Sequence, residues 1–193
     1  ALLSEVYADS EMGIDVLDDG SLSLSDAYLE GLIAGIYVQD STADVKRAVV
    51  SGSAHGLTAL GYSDVELEDI LVTGSDIVAL GVLLGAQVEA ERVRLADNFN
   101  VGLELVGDDT AMNAADLTIE NTQPLQDATY CPCLEPFVGW FGYGVLAFEG
   151  ALLTGERISV VGSHDSGLWL HGDDTTVDVV DLFVADTFPS GGQ

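Results

Sequence analysis

A glycine followed by alternating aliphatic residues returns seven times along the chain, and this repeat restricts the possible fold more than any other feature. The phrase reads GIDV at Gly13, GIYV at Gly35, GLTA at Gly56 and GVLL at Gly81, then GLEL at Gly102, GVLA at Gly144 and GLWL at Gly167. Successive starts lie 21 to 25 residues apart, apart from one gap of 42 that corresponds to a coil plus an inserted loop. Longer phrases also recur. GDDTAMNAADLTIEN from Gly107 matches GDDTTVDVVDLFVAD from Gly172, and GAQVEAERVRL from Gly85 matches GALLTGERISV from Gly150.

Aligned on the leading glycine, the next position holds Ile14, Ile36, Leu57, Val82, Leu103, Val145 and Leu168. Two residues on come Val16, Val38, Ala59, Leu84, Leu105, Ala147 and Leu170. Aliphatic residues at spacing two mark the inward face of a strand, one per repeat. Second and third strands follow, as in Val65, Leu67, Ile70 and Val72. A unit of this kind cannot bury its apolar face alone, whereas stacked copies bury it together. Seven coils at ~4.8 Å each predict a rod of roughly 30 Å, wound right-handed because crossovers between parallel strands take that hand. On these residues the chain resembles the right-handed parallel β-helix superfamily with the pectate-lyase-like fold. The expectation is one all-β domain over 1–193, with an insertion at 122–143 and a C-terminal linker at 187–193. Residues 1–12 read as the end of an earlier coil. Neither terminus supplies an obvious cap, so a fragment of a longer repeat protein, or an end covered by a partner, is expected.

Two polar columns share the register. Before the third strand stand Asp26, Arg47, Asp69, Arg92, Asp116, Arg157 and Asp181, alternating in sign. Stacked this way, each interior member gains two opposite neighbours, a structural ladder rather than a catalytic set. After the third strand stand Gly31, Gly52, Gly74, Asp97, Asn121, Gly162 and Asp186, residue types that tolerate left-handed backbone and so predict a repeated tight turn.

Composition narrows the partners. Against 33 Asp and Glu stand 5 Lys and Arg, a formal charge of −28, while the apolar fraction is 48%. Such a surface repels nucleic acid and anionic lipid and attracts divalent cations or cationic partners. No apolar run is long enough to span a membrane, so no membrane insertion is expected. Cys131 and Cys133, too few for a disulfide framework, predict a local disulfide or two free thiols.

Candidate functional residues fall in two places. Outward positions of the first strand carry Asp15, Tyr37, Leu83, Glu104, Leu146, Phe148, Trp169 and His171, more apolar than a bare solenoid face. The inserted loop, with Phe137, Trp140, Phe141 and Tyr143, is expected to cover that face as a lid. Tyr37, Trp140, Trp169 and His171 are the candidate glycan or interface residues. Asp108, Asp109, Glu149, Asp173 and Asp174 occupy corresponding corners of three successive coils and form the candidate Ca²⁺ site. His55, His164 and His171 lack metal-ligand spacing, and turn or solvated positions are expected for them.

The resemblance implies, for an enzyme of the pectate lyase type, calcium-binding carboxylates with a basic residue beside the substrate, and here the arginines lie in another column. The preferred reading is an extracellular or cell-surface scaffold or adhesive module, Ca²⁺-stabilised and in contact with polysaccharide or another protein. The alternative is a polysaccharide lyase or glycoside hydrolase acting along the first-strand face.

Overall fold

The computed structural model describes residues 2–4, 7–8, 12–31, 33–125 and 141–189, with side chains from residue 13 onward. These residues form a parallel β-solenoid of about seven turns, and no helix is present among them. Each turn supplies a short strand to one sheet and a long strand to another. The short-strand sheet holds β3 (Met12–Leu17), β5 (Ala34–Gln39), β7 (His55–Leu60), β9 (Val78–Leu83), β11 (Asn100–Val106), β13 (Gly142–Phe148) and β15 (Leu168–His171). The long-strand sheet holds β4 (Ser21–Glu30), β6 (Thr42–Ser51), β8 (Asp64–Thr73), β10 (Gln87–Ala96), β12 (Ala111–Glu120), β14 (Leu152–Val161) and β16 (Thr176–Ala185). β1 (Leu2–Ser4) and β2 (Tyr7–Ala8) pair with β4, so the first residues do close an earlier turn.

The expected second and third strands are one ten-residue strand with a break in side-chain parity. In β4, Leu22 and Leu24 point inward, then Ala27 and Leu29. The shift comes from Asp26, held at φ 56°, which adds one outward residue as a β-bulge does. Arg47, Asp69, Arg92, Asp116, Arg157 and Asp181 repeat that left-handed backbone. The turn column behaves as predicted, with Gly31, Gly52, Gly74, Asp97, Asn121, Gly162 and Asp186 all at positive φ.

The stacked columns stand in register. Ile14 pairs with Ile36 and Ile36 with Leu57, while Leu80, Leu103 and Val145 continue the same column. The fourth coil corrects the alignment. There the inward residues are Leu80 and Val82, Gly81 faces outward, and Leu84 is exposed at the corner. Ala79, not Gly81, holds the glycine position of the repeat.

Glycine is otherwise needed in that position because the two sheets converge there. A Cβ on Gly56 would overlap Val72 Cγ1 and the Ala79 carbonyl, and one on Gly144 would overlap Val160 Cγ1. Ile119 and Val184 oppose Gly102 and Gly167 in the same manner. In the coil of Ala79 the long-strand residue at that level is Leu95, which has no branch at Cβ. The methyl of Ala79 replaces the methyl its neighbour lacks.

The ladder differs in one respect from a continuous row. Arg47 grips Asp26 with two bonds of 2.7 and 2.8 Å, and Arg157 grips Asp116 at 2.6 and 3.0 Å. Each arginine reaches back one coil, not both ways. A guanidinium fork fits one carboxylate face, so alternation produces discrete pairs. Asp181 closes the row without a bidentate partner among the described residues.

The inserted stretch is also narrower than 122–143. Gln123 bridges to Phe99, and β13 begins at Gly142. At the other end, the Phe188 amide donates to the Ser163 carbonyl, which ties 187–189 to the preceding coil.

Candidate functional site

The outward face of the short-strand sheet is where chemistry-bearing side chains meet a cavity. Its central column runs Asp15, Tyr37, Thr58, Gly81, Glu104, Leu146, Trp169, one residue per coil. Gly81 carries no side chain, so a gap opens between Thr58 and Glu104. The resulting pocket has a volume of about 310 Å³ and is lined by Tyr37, His55, Thr58 and Glu104 with Ala34, Leu60, Val78, Gly81 and Leu83. That volume lies at the lower end of the ~300–1,000 Å³ typical of small-ligand sites. A Cβ on Gly81 would meet only the Thr58 and Val78 side chains at 3.8 Å, so the space is real and not a close approach of backbone.

The polar groups around this pocket are tuned by burial. Glu104 is pushed up to about 7, because its carboxyl is held away from water. His55 is pushed down by burial, which disfavours its charged form. It opens β7 and faces the pocket, unlike the solvated histidine expected. The Tyr37 hydroxyl donates to Gln39 Oε1 at 3.1 Å, and burial with the nearby charges of Asp15 and Asp40 raises its pKa. The site therefore offers hydrogen-bonding groups whose uncharged forms burial favours, on mostly apolar walls.

Further along the same face stands a row of aromatic rings. Phe141 lies 4.8 Å from Tyr143, Tyr143 lies 6.0 Å from Trp169, and Trp169 lies 5.3 Å from His171. Each ring plane stays within 19° of the next, held by the two-residue spacing within β15 and the stacking of β13 on β15. Of the predicted glycan residues, Tyr37 joins the pocket while Trp169 and His171 join this row. Trp140 lies outside the described residues, as do Phe137, Cys131 and Cys133 and the 126–140 part of the segment 122–143 expected to form a lid.

In the central column the two carboxyls, Asp15 and Glu104, are four rungs apart, about 19 Å at ~4.8 Å per rung. Glycoside hydrolysis places its carboxyl pair ~5–9.5 Å apart. All five basic residues, Lys46, Arg47, Arg92, Arg94 and Arg157, lie on the long strands β6, β10 and β14.

At the acidic corner the Asp108 carboxylate lies against Gly150 of the adjoining coil, while Gly172 lies against the Glu149 backbone. Asp108, Asp109, Glu149, Asp173 and Asp174 are all exposed. Among the described residues, no three His, Cys, Asp or Glu side chains converge to hold an ion.

Sequence reasoning missed the pocket because Gly81 was aligned with the repeat glycines. Placing Ala79 in that position instead would have set Gly81 between Thr58 and Glu104. Comparison with protein-family models and with curated proteins finds no match. Among the described residues no helix is long and apolar enough to cross a membrane.

Proposed function

We propose that this chain is a non-catalytic β-helix module of the cell surface or extracellular space that binds neutral carbohydrate on the outward face of its short-strand sheet. The observation that carries the reading is the pocket opened by Gly81 between Thr58 and Glu104. Sugars present hydroxyls and apolar C–H faces together, and this pocket pairs Tyr37, His55, Thr58 and a protonatable Glu104 with aliphatic walls. The aromatic row extends the same face and supplies further surface along a chain-like ligand. A charge of −28 disfavours acidic polysaccharide, which leaves neutral glycans as the class. The pectate-lyase-like resemblance agrees with a glycan laid along this sheet. Lyase activity is not part of the reading, since the basic residues all lie on the long strands, and the column's own carboxyls, Asp15 and Glu104, are too far apart to act as a hydrolytic pair.

The test uses neutral oligosaccharides, a cello-oligosaccharide and a galacto-oligosaccharide, titrated into isotope-labelled protein. Amide shifts are expected at residues 34–37, 55–60, 78–83 and 104, and Gly81→Val should abolish them while leaving the spectrum otherwise folded. Binding unchanged by Gly81→Val, or no shift at millimolar sugar, overturns the proposal. Release of reducing ends during the titration would favour the hydrolase instead.

A further inference from the structure

Three successive rungs of the outward column read Thr58, Gly81 and Glu104, so two polar side chains flank a position that has none. At ~4.8 Å per rung the flanking residues stand about 10 Å apart along the sheet. A Cβ built on Gly81 would lie 3.8 Å from both Oγ1 and Cγ2 of Thr58, so that hydroxyl and that methyl border the gap. Thr58 is only 7% exposed. Among the described residues, neither its hydroxyl nor the Glu104 carboxyl has a hydrogen-bond partner. Buried polar groups without partners are costly, and a ligand that supplies the missing bonds recovers the cost.

The walls narrow the ligand. Ala34, Leu60, Val78 and Leu83 line the gap with aliphatic side chains, whereas the aromatic row that suits the flat C–H face of a sugar stands on β13 and β15. A small apolar group is the better match to such walls. A secondary amide is planar, with its N–H and C=O pointing opposite ways, so its two partners must stand on opposite sides. Thr58 and Glu104 stand so. The Thr58 hydroxyl accepts from an N–H, while a C=O needs a donor, which a carboxyl is when protonated, the form that burial favours for Glu104.

From this arrangement we infer that the pocket selects glycans bearing an N-acetyl group, whose acetamido substituent enters the gap at Gly81 between Thr58 and Glu104. The inference rests on the carbohydrate reading above and names the sugar class within it. Thr58 takes the amide proton, Glu104 donates to the carbonyl oxygen, and the methyl lies against Val78 and Leu83. The substituent is uncharged and so meets no repulsion from the acidic chain. A plain glucan brings a hydroxyl instead, which leaves the aliphatic walls unfilled and one hydrogen bond unmade.

Tri-N-acetylchitotriose and cellotriose share one backbone and differ at each ring only in an acetamido group against a hydroxyl, so this pair isolates the contact. Titrated into the intact protein at pH 6, the acetylated sugar is expected to bind roughly ten-fold tighter. Nuclear Overhauser contacts should join its acetyl methyl to the Val78 and Leu83 methyls. At pH 8, above the value of about 7 to which burial lifts Glu104, the preference should fall several-fold as the donor is lost. Of the other titratable groups on this face, burial pushes His55 on β7 down and Tyr37 on β5 and Tyr143 on β13 up. Asp15 lies four rungs off, and β9 brings only uncharged residues to the pocket. Glu104→Gln, whose amide is a donor at both pH values, should hold the preference constant and so separates Glu104 from His55. Thr58→Val should reduce the preference at either pH. Equal affinity for the two sugars at pH 6, with both bound, overturns the inference and leaves the carbohydrate reading standing, whereas binding of neither overturns both. A wild-type preference unchanged at pH 8, or methyl contacts only to Tyr143 and Trp169, overturns the inference as well.

Discussion

Arg92 reaches back to Asp69, its Nε 2.6 Å from one carboxylate oxygen and its Nη2 3.3 Å from the other. Its other bonds go to Glu68 and Glu91, so three acids converge on one guanidinium. Removing that positive charge leaves the acids facing one another across adjacent coils.

Charge reversal at this point is therefore more damaging than neutralisation. Arg92→Asp should lower Tm by several degrees, Arg92→Gln by less, and the gap should narrow in molar salt as the repulsion is screened. The hydrogen bond from Arg92 holds the Asp69 carboxyl below its usual value of 3.8. A lowered folded pKa places the stabilisation above the ordinary carboxylate range, with loss as pH falls through the lowered value. Wild type and Arg92→Gln should accordingly converge in strong acid. Equal Tm for all three proteins at neutral pH and low salt would show that the pairs contribute nothing.

Glu104 acts in the opposite direction. Burial raises its carboxyl from 4.5 to about 7, so the folded chain holds a proton that the unfolded chain releases. Stability then falls as pH rises from about 4.5 to 7 and levels off above, a cost of about 3 kcal/mol at alkaline pH. Glu104→Gln removes that cost. The variant should be more stable than wild type at pH 8 and about equal at pH 4, measured as a difference so that other titrating groups cancel. A variant no more stable at pH 8 would mean that the carboxyl is solvated.

The exchange of one methyl between sheets gives a third prediction. Gly56→Ala drives a Cβ into Val72 Cγ1, an overpacking that should cost about 1–3 kcal/mol. Val72→Leu removes the Cβ branch, as Leu95 does beside Ala79, and should recover part of the loss when combined with Gly56→Ala. Denaturant melts of the four proteins give the coupling, and strict additivity would break the proposed link. Gly81→Ala, which meets nothing closer than 3.8 Å, should be nearly neutral by comparison.

Ion effects should be those of screening. With 33 acidic and 5 basic residues, any salt should raise Tm by relieving self-repulsion. Calcium and magnesium at equal ionic strength should give the same rise, because among the described residues no three His, Cys, Asp or Glu side chains converge on one point. A rise specific to calcium, saturating below millimolar concentration, would point to an ion site after all.

The solenoid was legible because its signal is repeated once per coil. Seven aliphatic pairs, seven signed residues and seven turn residues each specify the same register, so a single misaligned coil leaves the fold intact. The pocket was not legible for the converse reason. It depends on one unrepeated event, the outward placement of Gly81, and the misalignment fell there. The pairing of Arg92 with Asp69 alone, rather than with both neighbours, likewise depends on the directional reach of a guanidinium, which the sign pattern does not record. The acidic corner looked like a site because Asp108, Glu149 and Asp173 recur in sequence. Coils 5 and 6 turn this corner with different numbers of residues, and the offset interleaves glycine with acid.

Because each arginine of the signed ladder reaches backward by one winding, the smallest electrically closed element of that ladder is a doublet. Gain or loss of a doublet through gene duplication or deletion preserves the ladder's pairing, whereas a single winding inserted mid-rod would juxtapose two like residues. Lineages carrying this architecture should therefore differ in length by even steps.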